Sequence, residues 1–131
     1  MTACLDTDVL VDYLRGVSES RAWLNATPAE DYFVPGIVAM ELLAGCQNQN
    51  ELTRTKKFLD SLNLVWPDAQ DMTRAYNLLA TYRLATALSI PDCIIAAMAL
   101  NRSARLYTFN LKHYRVIADL DAQEPYQRPT R

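Results

Sequence analysis

Four short apolar runs constrain this chain more than any other feature: TACL (2–5), DYFVP (31–35), NLVW (63–66) and ARLYTFN (104–110). They do not keep the strict apolar–polar alternation of a strand with one wet face, so both faces of each strand are expected to be covered. Segments with helical spacing lie between them. Short covered strands alternating with helices form a parallel sheet between helical layers. The expected fold class is therefore α/β, a three-layer α/β/α sandwich with a short, mostly parallel central sheet.

TDVLVDYLRG carries Val9, Leu10, Tyr13 and Leu14 at helical spacing and stops at Gly16. SESRAWLNAT is expected to be a second helix capped by Ser18, with Pro28 beyond its end. GIVAMELLAGC is an apolar helix, and NELTRTKKFLDSL turns Leu52, Phe58, Leu59 and Leu62 inward. DAQDMTRAYNLLATYRLATA is one long helix, and SIPDCIIAAMALNRS is small and apolar throughout. LKHYRVIADL reads as mostly irregular with one helical turn. The tail beyond about residue 122 contains Pro125 and Pro129 and is expected to wrap the surface or fray. No repeat or linker divides residues 1–131, so a single domain is expected.

Half of the residues are hydrophobic and 21% are charged, which marks a globular chain. A net charge of −2 argues against a broad basic face for duplex binding, though not against a nucleic-acid enzyme with local positive charge. No apolar run approaches a membrane span, and Asp6 falls where the apolar region of a signal peptide should begin. A cytoplasmic location is expected. Cys4, Cys46 and Cys93 lack metal or disulfide spacing and read as small core residues.

Three carboxylates stand alone in apolar surroundings. Asp6 ends the first strand, where open α/β folds bind ligands; by position alone it is equally a cap for the next helix, as is Thr7. Glu41 is the only charged residue between Pro35 and Asn50. On so apolar a helix it needs a partner, a proton or a metal, unless it is simply an exposed glutamate. Asp92 is the only charge between Arg83 and Arg102. It also completes the outline of a capping box with Ser89, and Pro91 suits a first turn. Capping and cation binding are compatible, because a helix N-terminus keeps a carboxylate ionised. Thr108 and Asn110 alternate with Tyr107 and Phe109, so they share one face near the sheet edge of Asp6.

Carboxylates gathered in one crevice repel one another unless a cation intervenes. Oxygen donors select a hard ion, Mg²⁺ or Mn²⁺, which activates water and neutralises phosphate. With one histidine and three glycines, neither histidine-activated nucleophiles nor a glycine-rich phosphate loop has support.

ACLDTDVLVDYL resembles the first motif of haloacid-dehalogenase-type phosphatases, with Asp6 as nucleophile and Asp8 as acid. That family also needs a downstream lysine and a late adjacent acidic pair, and no convincing pair is present. The fuller resemblance is to PIN-domain nucleases, and within them to VapC-type toxins of toxin–antitoxin pairs. It rests on LDTDVLVDYLRG, VPGIVAMELLAG, LSIPDCIIAAMAL and LYTFNLKHYRVI, in that order, across nearly the whole chain.

The resemblance implies a Mg²⁺- or Mn²⁺-dependent endoribonuclease that inhibits translation and growth. Asp6, Glu41 and Asp92 would be its catalytic, metal-binding acids. Many relatives carry a fourth acid where Asn110 stands. The amide removes a charge and can hold a metal-bound water, so one or two ions are implied. Thr7, Thr108 and Asn110 would support the ligands from behind. Asp8 is expected to face away or lie at the rim, Asp12 to be a solvated helix residue, and His113 to be structural or at the rim. Metal-activated water would hydrolyse RNA phosphodiesters to 5′-phosphate and 3′-hydroxyl ends, with Lys112 and Arg115 as candidate RNA contacts. The resemblance also implies a homodimer and a cognate VapB-type antitoxin whose basic side chain approaches the acids. A PIN fold that only binds RNA or a partner is the alternative, resting on Asn110.

Overall fold

The computed structural model describes residues 2–129. Five strands form one sheet in the order β3-β2-β1-β4-β5. They are β1 (Ala3–Leu5), β2 (Tyr32–Pro35), β3 (Leu64–Val65), β4 (Arg105–Tyr107) and β5 (Ala122–Gln123). Every neighbouring pair is parallel. Cys4, at the centre of β1, is in register with Phe33 on one side and Leu106 on the other. Its full burial explains the unbroken apolar character of the strand.

The helices are α1 (Thr7–Leu14), α2 (Ser18–Ala26), α3 (Gly36–Ala44), α4 (Gln49–Asp60), α5 (Ala69–Tyr82), α6 (Ile90–Asn101) and the single turn α7 (Leu111–Tyr114). From β1 the chain adds β2 and β3 outward on one side, then crosses to add β4 and β5 on the other. The crevice between the carboxyl ends of β1 and β4 is thus a topological switch point, where such sheets bind ligands.

α6 packs on β1 and β4 and is buried from Cys93 to Ala99. Ala96, Ala97 and Ala99 let the helix approach the sheet closely, while Ile95 and Met98 fill the space between them. Burying side chains of that size stabilises by about 2 kcal/mol each. Gly36 opens α3 directly under the Trp66 ring, which a Cβ there would strike. Gly16 ends α1 at φ +78°, a conformation that favours glycine.

α5 is locked to α6 by one buried carboxylate. Asp71 is 1% exposed. Arg102 grips it with two N–H···O bonds of 2.9 Å. Asn101 Nδ2 donates at 2.9 Å, and the Asp68 backbone N–H closes a capping box at 2.9 Å. Burial pushes this carboxyl up, but the bonds from Arg102, Asp68 and Asn101 outweigh it and bring the pKa down to about 2.

Several expectations change. A fifth strand, β5, extends the sheet from the start of the tail expected to wrap the surface or fray, because Leu106 N and Thr108 N donate to Asp121 O and Gln123 O. The tail does not fray over its described part; Thr130 and Arg131 lie outside the described residues. Ser18 does not cap α2: Val17 holds the cap position, and the Ser18 hydroxyl donates to Glu19 instead. The long helix ends at Tyr82, short of Ala87. Asp12 is buried rather than solvated, because the tail folds back over it with Tyr126 and Arg128.

Asp71→Asn is expected to lower stability by about 2 kcal/mol at neutral pH, since it leaves Arg102 half-buried without its counter-charge. A depressed carboxyl contributes stability that is fully present above its unfolded value and lost as pH falls through the folded value. Urea unfolding from pH 5 down to pH 2 should therefore show the deficit of the variant shrinking.

Candidate active site

Asp6 continues β1 by donating its backbone N–H to Tyr107 O at 3.0 Å, and then turns the chain into α1. The capping reading of Asp6 holds, and the same carboxylate also reaches across to β4. Its Oδ1 accepts the Thr7 backbone N–H at 2.8 Å as an N-cap, and its Oδ2 accepts the Thr108 hydroxyl at 2.7 Å. Thr108 is fully buried and in turn accepts the Asn110 backbone N–H at 3.0 Å. Residues 102 positions apart are thereby joined at the switch point.

The other acids reach the same cleft, of about 340 Å³, from three further elements. Glu41 projects from α3; although exposed, it accepts the Thr7 hydroxyl at 2.8 Å. Asp92 is held at the start of α6. Its Oδ2 accepts the Ser89 N–H at 3.1 Å, and its Oδ1 accepts the Tyr114 hydroxyl at 3.1 Å. Burial, and then the charges of Asp6 and Asp92, push the Tyr114 phenol well up, so it stays a donor.

Asp8 corrects the expectation that it faces away or sits at the rim. It lines the cleft, and its Oδ2 accepts the Phe109 backbone N–H at 3.0 Å. Its Oδ1 is buried without a hydrogen-bond partner. Burial, and then the neighbouring Asp8 charge, drive the Asp6 carboxyl above its usual range. Asp8 is also raised, chiefly by burial, with Arg128 pulling the other way. Two desolvated carboxylates thus face one another where water is scarce.

Asn110 also lines the cleft, but its Nδ2 lies 2.8 Å from His113 Nδ1. That contact makes His113 a brace for the Asn110 amide. Lys112 and Arg115 are exposed on and just after α7 and do not line the cleft. Among the described residues the one cation that does is Arg128, from the tail, which sequence reasoning missed. Tyr114 was missed as well; a buried tyrosine with its hydroxyl on a site acid leaves no sequence signal beyond its apolar spacing.

The donor set suits a hard divalent ion: every candidate ligand atom is oxygen, and one buried carboxylate oxygen, Asp8 Oδ1, lacks any partner. Among the described residues the acids are not already drawn together into a cage.

The PIN domain family matches residues 3–118. The chain belongs to the PIN-domain family. Ribonuclease VapC19 of Mycobacterium tuberculosis is 32% identical over 127 residues, covering 93% of this chain and 98% of that protein. A toxin–antitoxin complex from Klebsiella pneumoniae superposes with a TM-score of 0.79 at 28% identity, covering 96% of this chain and 99% of that one. DNA-bound VapBC from Salmonella typhimurium shares the fold, with a TM-score of 0.82 at 21% identity. PIN membership sets the phosphatase reading aside, and the cleft agrees: no lysine lines it. Among the described residues of this PIN domain, no helix is long and apolar enough to cross a membrane.

In metal-free protein, Asp8→Asn should raise the melting temperature at pH 7 by about 4 °C, by removing a desolvated like charge. Carboxyls raised in the folded state lower its stability as pH climbs through their shifted range. The gain should therefore shrink toward about pH 5, below the Asp6 value of about 7, where Asp6 takes up its proton; scanning calorimetry at the two pH values measures it.

Proposed function

We propose that residues 1–131 form one nuclease domain, a divalent-metal-dependent endoribonuclease acting as the toxin of a toxin–antitoxin pair in the cytoplasm. The observation that carries the reading is the buried Asp6 carboxylate, strapped by Thr108 at the switch point beside the unpartnered Asp8 Oδ1. The 32% identity to a ribonuclease across almost the whole chain supports the substrate class.

Asp6, Glu41 and Asp92 would hold Mg²⁺ or Mn²⁺, with Asp8 adding a fourth charge that the sequence reading did not assign. When bound, the ion supplies Lewis acidity, lowering the pKa of water and neutralising phosphate charge. The chain's own residues do the positioning. Thr108 and the Thr7 N–H keep Asp6 in one orientation; Thr7 Oγ1 steadies Glu41; Tyr114 and Ser89 steady Asp92. Asn110, braced by His113, contributes no charge. The acidic cleft suits a basic side chain from a VapB-type antitoxin, since a guanidinium neutralises the same repulsion. A homodimer accords with the family.

Asp6→Asn, Glu41→Gln and Asp92→Asn should each lower RNA cleavage at least about 100-fold while circular dichroism stays native, and Thr108→Val should cost roughly 10–100-fold. Excess EDTA should stop cleavage and added Mn²⁺ restore it. Conditional expression with RNA-end mapping completes the test: 5′-phosphate ends and growth arrest are expected with the wild-type chain and neither with Asp6→Asn. Cleavage that persists in EDTA would overturn the reading. Binding without turnover would favour the binding-only alternative that Asn110 suggests.

A further inference from the structure

Arg128 stands apart in the cleft. Among the described residues four carboxylates line it and a single guanidinium faces them. The tail delivers this side chain from beyond β5, and three contacts fix its plane. Arg128 Nε donates to Asp12 Oδ2 at 2.9 Å and Nη2 donates to Asp12 Oδ1 at 3.2 Å, a two-point grip on a buried carboxylate. The guanidinium carbon lies 3.8 Å from the Phe109 ring centroid. Tyr126 secures the tail, packing edge-on to Phe109 at 5.1 Å and donating its hydroxyl to Asp12 at 2.8 Å.

A guanidinium carries five N–H donors in one plane. Asp12 engages Nε and Nη2, and among the described residues Nη1 has no hydrogen-bond partner. Asp12 and Phe109 therefore hold the side chain from behind and beneath and leave an outward pair of donors at the edge of the acidic cleft. Such a planar fork suits a phosphate oxygen.

We propose that Arg128 is a substrate-binding residue: its free N–H donors hold a backbone phosphate of single-stranded RNA next to the bond that the carboxylates address. The proposal rests on the reading of the cleft as an RNA-hydrolysing site. Asp12, Phe109 and Tyr126 are positioning residues that aim the guanidinium. This assigns the tail a role in substrate binding and moves it from Lys112 and Arg115, which are exposed and do not line the cleft.

The test compares wild type, Arg128→Ala and Arg128→Lys. A fluorescein-labelled, mixed-sequence single-stranded RNA is titrated in Ca²⁺ by anisotropy across a salt series, and steady-state cleavage is followed in Mn²⁺. Arg128→Ala should weaken binding roughly 5- to 10-fold and raise KM similarly, with kcat within about twofold. The slope of log affinity against log salt should shrink by about 0.7, one phosphate contact on a single strand. Arg128→Lys should keep the slope and recover part of the affinity, because charge remains while the fork is lost.

If Arg128→Ala lowers the melting temperature but leaves affinity and slope unchanged, the residue is only a counter-charge for Asp12 and the proposal fails. Tighter binding or faster cleavage in Arg128→Ala would also overturn it, showing that the tail obstructs the cleft. A wild-type chain that binds RNA through Arg128 but never cleaves sinks the nuclease reading and spares this one; a cleaving chain whose KM ignores Arg128 does the reverse.

Discussion

The 2.7 Å hydrogen bond from Thr108 to Asp6 ties together everything the cleft is built from. It spans the gap between β1 and β4 at the point where the sheet reverses its order of growth. Thr108 is buried completely, so the bond forms where water does not compete and its geometry is fixed. Through Thr7 the same turn reaches Glu41, and through the charge of Asp6 it touches Asp8 and Asp92. The protein thus concentrates negative charge where burial disfavours it, a local cost that the apolar packing of α6 on β1 and β4 offsets. Sites built for cation chemistry have this character: stability is lost locally, and binding of the ion recovers it.

The C-terminal segment closes this arrangement. β5 covers what would otherwise be the open edge of β4, protecting its backbone groups from pairing with another chain. Beyond it, Tyr126 and Arg128 settle on Asp12 and Phe109, while Trp23 meets Tyr107 at 5.0 Å and Tyr126 at 6.2 Å. An aromatic cluster thereby joins α2, β4 and the tail. One short segment guards the sheet edge and brings a guanidinium to an otherwise acidic cleft.

The pattern of apolar runs made the parallel sheet and its helical layers legible, because a strand buried on both faces has no freedom to alternate. Asp6, Glu41 and Asp92 were legible for a related reason: a charge is conspicuous where its neighbours are all apolar. β5 was not, being two residues long with no apolar run of its own. Asp8 and Asp12 were misread because helix positions so near a turn look like ordinary solvated acids, and only the loop after β4 and the returning tail bury them. Arg128 gave no signal at all, since an arginine among prolines in a tail resembles any solvated terminus.

By itself, then, the sequence determined which residues must be buried, how strands and helices alternate, and which isolated carboxylates need an external charge. Those properties are local, set by the cost of dehydrating each group along the chain. Tertiary structure alone decided which oxygens share a cleft, that Asp8 Oδ1 is left without a partner, and that a tail guanidinium faces the acids. The physical reason is distance along the chain: Asp6 meets Thr108 across 102 positions and Asp12 meets Arg128 across 116, and no periodicity in one stretch of sequence encodes where another will land.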